Sequence, residues 1–144
     1  MNTSTERAVG ARTLQAGHVV AIGALLCAAA VVERVPRFAS GHRYLLCHES
    51  SALDHLTLTA FALVMAAGVA ALTGGVMMQA RDAHGAALPV VWLVVVAVLL
   101  VAADGVDAHG EALAAQLSAA TPFTPGACDY VPQDYVATPG WFFW

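Results

Sequence analysis

The sequence predicts an all-α membrane protein with three transmembrane helices and an irregular extracytoplasmic C-terminal tail. Hydrophobic residues make up 59% of the 144 residues and charged residues 11%, against about 45–50% and 25% in typical soluble domains. Three long apolar segments account for this imbalance, and we predict a membrane helix for each; at about 1.5 Å per residue the first is long enough to cross the roughly 30 Å hydrocarbon layer. We divide the chain into a transmembrane domain, residues 1–120, and a tail, residues 121–144.

The first and third predicted helices are recognised by their apolar runs. The first covers residues 13–35 and ends before a proline. Its basic start and small residues are also typical of a signal peptide, and we predict a retained signal-anchor helix. The third covers residues 88–103 and carries Pro89 in its first turn, where proline is favoured. We expect it to leave the membrane through the polar residues 104–109 and to continue as a polar helix.

The second predicted helix covers residues 53–78 and starts near Ser51. Ser51 and Asp54 have the form of a capping box, which satisfies free backbone N–H groups at a helix start. Small residues recur every four positions in its interior, at Ala67, Ala71 and Gly75. Because small residues at this spacing let membrane helices approach closely, we predict tight packing along this face.

Three spans place the N-terminus and the loop containing Arg81 on one side of the membrane. The loop before the second helix and the tail share the other side. Each side carries three arginines, so the positive-inside rule does not set the orientation. Cys47 and Cys128 lie on the second side and can form a disulfide if it is oxidising; a redox or metal thiol pair is the alternative. We therefore predict a multi-pass protein of the plasma or inner membrane, with a cytoplasmic N-terminus and an extracytoplasmic tail.

Histidines and carboxylates gather where the second helix begins and the third ends. The candidate metal ligands are His48, His55, Asp104, Asp107 and His109. Imidazole and carboxylate ligands suit zinc or copper. On a helix Asp104 and Asp107 share a face and His109 points away, so a metal site must be assembled between segments or with a partner. The alternative is a solvated rim of acidic residues and histidines.

The tail contains four prolines and ends in an aromatic run, Trp141, Phe142, Phe143 and Trp144. Tryptophan favours the membrane interface, so this run can rest on the bilayer. Buried aromatic side chains also make strong anchors between proteins, so it can instead dock into a partner subunit. Both interpretations predict that the tail is ordered.

The chain carries no catalytic motif, and no catalysis of its own is predicted. Nucleic-acid binding is not predicted, because the sequence has no basic patch with interleaved aromatics. We predict an accessory or structural subunit of a larger membrane-bound complex of oxidoreductase type, metal-dependent or not, whose partners are other integral membrane subunits and the lipid bilayer. One alternative is a copper- or zinc-handling membrane protein with an extracytoplasmic site. The other is a homo-oligomeric small channel or transporter.

Overall fold

The structure is a computed structural model that describes residues 16–35, 42–80, 87–128, 131–138 and 140–141. Its elements in chain order are α1 (Ala16–Glu33), β1 (Arg43–Leu46), α2 (Ser51–Ala80), α3 (Ala87–Ala120) and β2 (Gln133–Val136). The three predicted apolar segments are therefore helical in the described part of the chain. The start of the first predicted helix, residues 13–15, lies outside the described residues.

Two of the helices are long and apolar enough, by length and composition, to cross a membrane. They are α2 and α3, of 30 and 34 residues, with mean hydropathies of 2.0 and 2.5 in their most apolar stretches. α1 is a shorter apolar helix of 18 residues. At about 1.5 Å per residue, α3 is roughly 50 Å long, so a hydrocarbon layer of about 30 Å cannot enclose all of it. The predicted polar continuation after residue 109 belongs to this same uninterrupted helix.

Small side chains bring the helices of the bundle close together. Ala67, Ala71 and Gly75, the row of small residues on α2, are all buried. A Cβ atom added to Gly23 of α1 would lie 2.5 Å from the Cβ of Ala71, which is closer than real Cβ atoms approach. The two helices therefore touch at this point, and the predicted tight packing is confirmed.

The prediction of a wholly irregular tail is wrong, because the tail contains β2. This strand pairs antiparallel with β1, with Arg43 opposite Val136 and Leu46 opposite Gln133. Leu46 then packs with Ala114 of α3 in a small core beneath the sheet. The tail and the loop before α2 thus meet at one end of the bundle, as the predicted topology requires.

The start of α2 is held by a residue from the tail. The Oε1 atom of Gln133 accepts from the backbone N–H of Ser50 at 2.8 Å, and its Nε2 donates to the Asp54 carboxylate at 2.9 Å. The backbone N–H of Asp54 donates to the carbonyl of Ser50 at 3.3 Å, so the helix begins one residue earlier than the predicted capping box. Gln133 therefore links the backbone N–H that precedes α2 to a carboxylate in its first turn, a role that the predicted capping box assigned to local groups.

Candidate functional site

A disulfide bond joins the loop after β1 to the tail. Cys47 and Cys128 are bonded, with Cα atoms 4.6 Å apart and a sequence separation of 81. The tail reaches this position through a turn in which the N–H of Ala127 donates to the carbonyl of Thr124 at 3.1 Å. Gly126 in this turn has a φ of 88°, a conformation that glycine adopts without strain. The structure thus brings together the two cysteines that the sequence pairs.

An ion pair connects α1 to α3 at the same end of the bundle. Arg34 contacts the carboxylate of Asp107 through Nη2 and donates from Nη1 to the carbonyl of Ala30 at 2.7 Å. The side chain of Asp107 is 9% exposed and that of Arg34 is 16% exposed. The Nε atom of Arg34 is buried without a hydrogen-bond partner among the described residues. Each charge of such a pair depends on the other, because a lone buried charge is costly.

Trp141 of the tail is fastened to the bundle by two acidic residues. Its backbone N–H donates to the carboxylate of Asp104 at 2.9 Å, and its indole N–H donates to Glu33. The side chain is half-buried and packs against the core shared by the three helices. The structure therefore places Trp141 against its own chain. The rest of the predicted docking run, Phe142, Phe143 and Trp144, lies outside the described residues.

Two tyrosines and Glu111 connect the sheet to α3. Tyr44 donates from its hydroxyl to Glu111 at 3.3 Å, and His42 lies 3.5 Å from the same carboxylate. Burial, followed by the negative charge of Glu111, raises the pKa of Tyr44. Burial, followed by the negative charges of Asp107 and Glu111, raises the pKa of Tyr135 to about 12. Both phenols are therefore neutral at physiological pH.

A cleft of about 540 Å³, which we call the polar cleft, opens between α2, α3, β2 and the end of α1. Its polar lining comprises Arg34, Asp54, Thr57, Asp107, Asp134 and Thr138. Its apolar and aromatic lining comprises Leu58, Phe61, Tyr135 and Val136. The polar cleft therefore offers both charged groups and an apolar surface within a volume typical of small-molecule sites.

A second cavity of about 500 Å³, which we call the apolar groove, lies between α1 and α2. Its lining includes Val20, Ala24, Ala28, Val31, Gly68 and Leu72, and all of the residues that line it are apolar. Such a groove offers a ligand no charged side chain and no strong hydrogen-bonding side chain. It can receive only an apolar occupant, such as an acyl chain or a helix.

The five predicted metal ligands do not form one group. His48, His55 and His109 are exposed, whereas Asp104 and Asp107 are only 7% and 9% exposed. Across the described ranges, no three His, Cys, Asp or Glu side chains lie close enough together to hold an ion. The zinc or copper site stays a prediction. The alternative of a solvated rim is wrong for Asp104 and Asp107, because both are buried and hold other parts of the chain.

Sequence reasoning missed the partners of the two aspartates, which are Arg34 and Trp141. The sequence does contain a signal for Arg34. It follows one apolar segment, the two aspartates follow another, and both ends are expected at a similar depth in the membrane. The role of Gln133 had no local signal, because its partners precede it by about eighty residues.

Most polar side chains at this end of the molecule contact one another and so hold the loop, the tail and the helices together. The polar cleft and the apolar groove are open cavities on the described part of the chain. Comparisons of this chain with models of protein families, with curated proteins and with solved structures find no match. The chemistry of both surfaces is therefore inferred from their own residues.

Proposed function

We propose that this chain is an integral membrane protein whose three helices all cross the bilayer, and that it is a noncatalytic subunit of a larger membrane complex. In this proposal the apolar groove receives a transmembrane helix of a different subunit. The observation that supports helix docking is a row of small residues on α1, in addition to the row already described on α2. Ala24 and Ala28 line the groove and stay exposed, although α1 is already packed against α2.

This row on α1 is not covered by α2, because it lies on a different face of α1 from the one that contacts α2. Gly23 and Ala30 are buried on the face that contacts α2. Ala24 and Ala28 lie four residues apart on the neighbouring face, opposite the half-buried Gly68 of α2. Small residues spaced by four allow two membrane helices to approach until their backbones are nearly in contact. A helix of another subunit that lies in the groove would therefore make closer van der Waals contacts with these small residues than lipid acyl chains do.

The exposed apolar surface also exceeds what a small bundle can bury by itself. Only 22% and 28% of the most apolar stretches of α2 and α3 are buried within the chain. Large side chains such as Leu25 and Leu58 are 71% and 65% exposed. A bilayer, or the helices of other subunits within it, would cover these side chains at no hydrophobic cost.

The orientation in this proposal places the tail on the extracytoplasmic side. The disulfide between Cys47 and Cys128 supports it, because such bonds persist in oxidising compartments and are rare in the cytosol. The N-terminus is then cytoplasmic and the membrane is the plasma or inner membrane. The oxidoreductase class of the complex stays a prediction, and the identity of the partner subunits would decide it.

The test is a pull-down of the tagged full chain in a mild detergent, with mass spectrometry of the proteins recovered. We expect other integral membrane proteins in stoichiometric amounts. The substitution Ala28→Leu fills the groove, because leucine adds three carbon atoms to its lining, and should release the partner. Recovery of the same partners by this variant would contradict docking in the groove.

The matched control is Ala97→Leu, which makes the same change at an exposed alanine of α3 outside the groove. It should retain the partners. A wild-type chain that recovers only further copies of itself would overturn the proposal and favour the homo-oligomeric channel or transporter. A wild-type chain that recovers no other protein would overturn both.

A further inference from the structure

We infer that the polar cleft binds a primary ammonium group carried on an apolar tail. The occupant is either a phospholipid with an ethanolamine head group or a free alkylamine, which share this chemistry. The inference rests on the membrane placement of α2 and α3 in the proposed function. It does not depend on the partner subunit.

The first step is the depth of the cleft along α2. Asp54 and Thr57 line it in the first two turns of the helix, next to the sheet. Phe61 also lines it and lies about 10 Å beyond Asp54 and about 6 Å beyond Thr57 along the helix axis, at about 1.5 Å per residue. Because the uninterrupted apolar run of α2 begins at Ala60, the polar residues before it lie at head-group depth and Phe61 lies among the acyl chains.

The second step is the direction in which the cleft opens. Leu58 and Phe61 are 65% and 47% exposed, so the apolar end of the cleft faces outward from the bundle. In a bilayer this surface contacts lipid. A molecule held in the cleft can therefore keep its tail in the hydrocarbon layer while its head group reaches the polar lining.

The third step is charge. Three carboxylates and one guanidinium line the cleft, and Arg34 is already paired with Asp107. Asp134 is partly compensated by Arg43 at 2.8 Å. Asp54 receives a hydrogen bond from the neutral amide of Gln133, which leaves its negative charge in place. The cleft is therefore negative and favours a cationic head group over an anionic one.

The fourth step is the aromatic lining. The ring of Tyr135 lines the same cleft as the carboxylates, and Tyr135 is the chain neighbour of Asp134. A cation near the face of an aromatic ring is attracted to it, more strongly where water is excluded. An ammonium that keeps its N–H groups can also donate to Asp54 and Thr57, which a quaternary ammonium cannot do. A primary amine is therefore preferred over choline.

The test uses the purified full chain in nanodiscs that contain equal amounts of phosphatidylethanolamine and phosphatidylcholine with identical acyl chains. Native mass spectrometry then counts the lipids retained on the protein. We expect about fivefold more phosphatidylethanolamine than phosphatidylcholine on the wild type. Asp54→Asn and Asp134→Asn keep the shape of each side chain and should bring the ratio close to one.

The matched control is Glu49→Gln, which removes the same charge from an exposed residue outside the cleft and should keep the preference. Equal retention of both lipids by the wild type would overturn the inference. So would an unchanged preference in both cleft variants, or an equal loss in the control. The wild-type comparison needs no substitution, so it remains decisive if a variant does not fold.

Added dodecylamine separates the two sources of the ammonium group. If it displaces phosphatidylethanolamine from the wild type, the cleft accepts the amine on any apolar tail. If it does not while the lipid preference remains, the phospholipid is the ligand. A failed pull-down would contradict the partner subunit but would not affect the lipid measurement. Equal retention of both lipids would contradict ammonium binding but would not affect the pull-down. The two proposals can therefore be rejected independently.

Discussion

Asp104 and Asp107 lie nearly one turn apart on α3, and each holds a different part of the chain. Asp104 accepts from the backbone of Trp141 in the tail, and Asp107 pairs with Arg34 at the end of α1. The sequence predicts correctly that they share a helix face. It does not predict their burial, because that depends on Trp141, 37 residues after Asp104, and on Arg34, 73 residues before Asp107.

We expect Asp107→Asn and Arg34→Gln each to lower the free energy of unfolding by about 3 kcal/mol, because each leaves a largely buried charge without its partner. The double variant should lose less than the sum of the two single losses, since it removes both charges. Thermal unfolding in detergent, read from the shift in Tm across all four proteins, measures this coupling.

The exposed pair between Arg43 and Asp134 provides the comparison for that cycle. Its side chains are 68% and 42% exposed, so water screens their charges and Arg43→Gln should cost less than about 1 kcal/mol. Strictly additive losses at Arg34 and Asp107 would show that the ion pair does not couple α1 to α3.

Among the secondary-structure elements, the long apolar helices can be predicted from the sequence and the two short strands cannot. α2 and α3 were predicted within a few residues of their apolar boundaries, because a run of this length fits little else. β1 and β2 have four residues each, too few for an alternating pattern to be distinctive. Their pairing joins segments far apart in the chain, and local propensity carries no information about such a contact.

The contact between α1 and α2 can be tested with two glycines. An added Cβ on Gly23 would lie 2.5 Å from the Cβ of Ala71, whereas on Gly68 it would meet only the sulfur of Cys27 at 4.0 Å. We expect Gly23→Ala to destabilise the bundle, because the helices must move apart. Gly68→Ala should be neutral or stabilising, since alanine favours a helix by up to about 1 kcal/mol.

Thermal unfolding of both variants in the same detergent measures the difference. Matching Tm values for Gly23→Ala and wild type would mean that the two helices are further apart than the structure shows. A large loss in Gly68→Ala would mean that this face of α2 is more crowded.

The whole molecule is a helical bundle closed at one end by covalent and noncovalent contacts of the tail. The disulfide, the sheet and Trp141 fasten the tail at three separate places. The disulfide closes a loop with a sequence separation of 81, and in the chain-entropy model a loop of this length contributes about 4.5 kcal/mol. If the helices stay formed in the membrane when the protein unfolds, the unfolded chain has less entropy to lose and the contribution of the disulfide is smaller.

We expect reduction, or the double substitution of Cys47 and Cys128 by serine, to loosen the tail and leave α2 and α3 helical. Chymotrypsin should then cut after Tyr135 faster than in the oxidised protein, because β2 opens more often. The control is Cys27→Ala, which removes the free thiol of the bundle and should not change the cleavage rate. Equal cleavage of oxidised and reduced protein would show that the sheet and Trp141 hold the tail unaided.

The bridge that Gln133 makes to the start of α2 also determines when the protein can finish folding during its synthesis. At roughly 5–20 residues per second, a ribosome takes about 4–17 s to make the 83 residues that lead from Ser50 to Gln133. Both α2 and α3 are synthesised within that time, while water must satisfy the backbone N–H of Ser50. A ribosome that stalls between residues 120 and 133 would release a chain that contains all three helices but has one end open, a product that cellular proteases could distinguish from the finished protein.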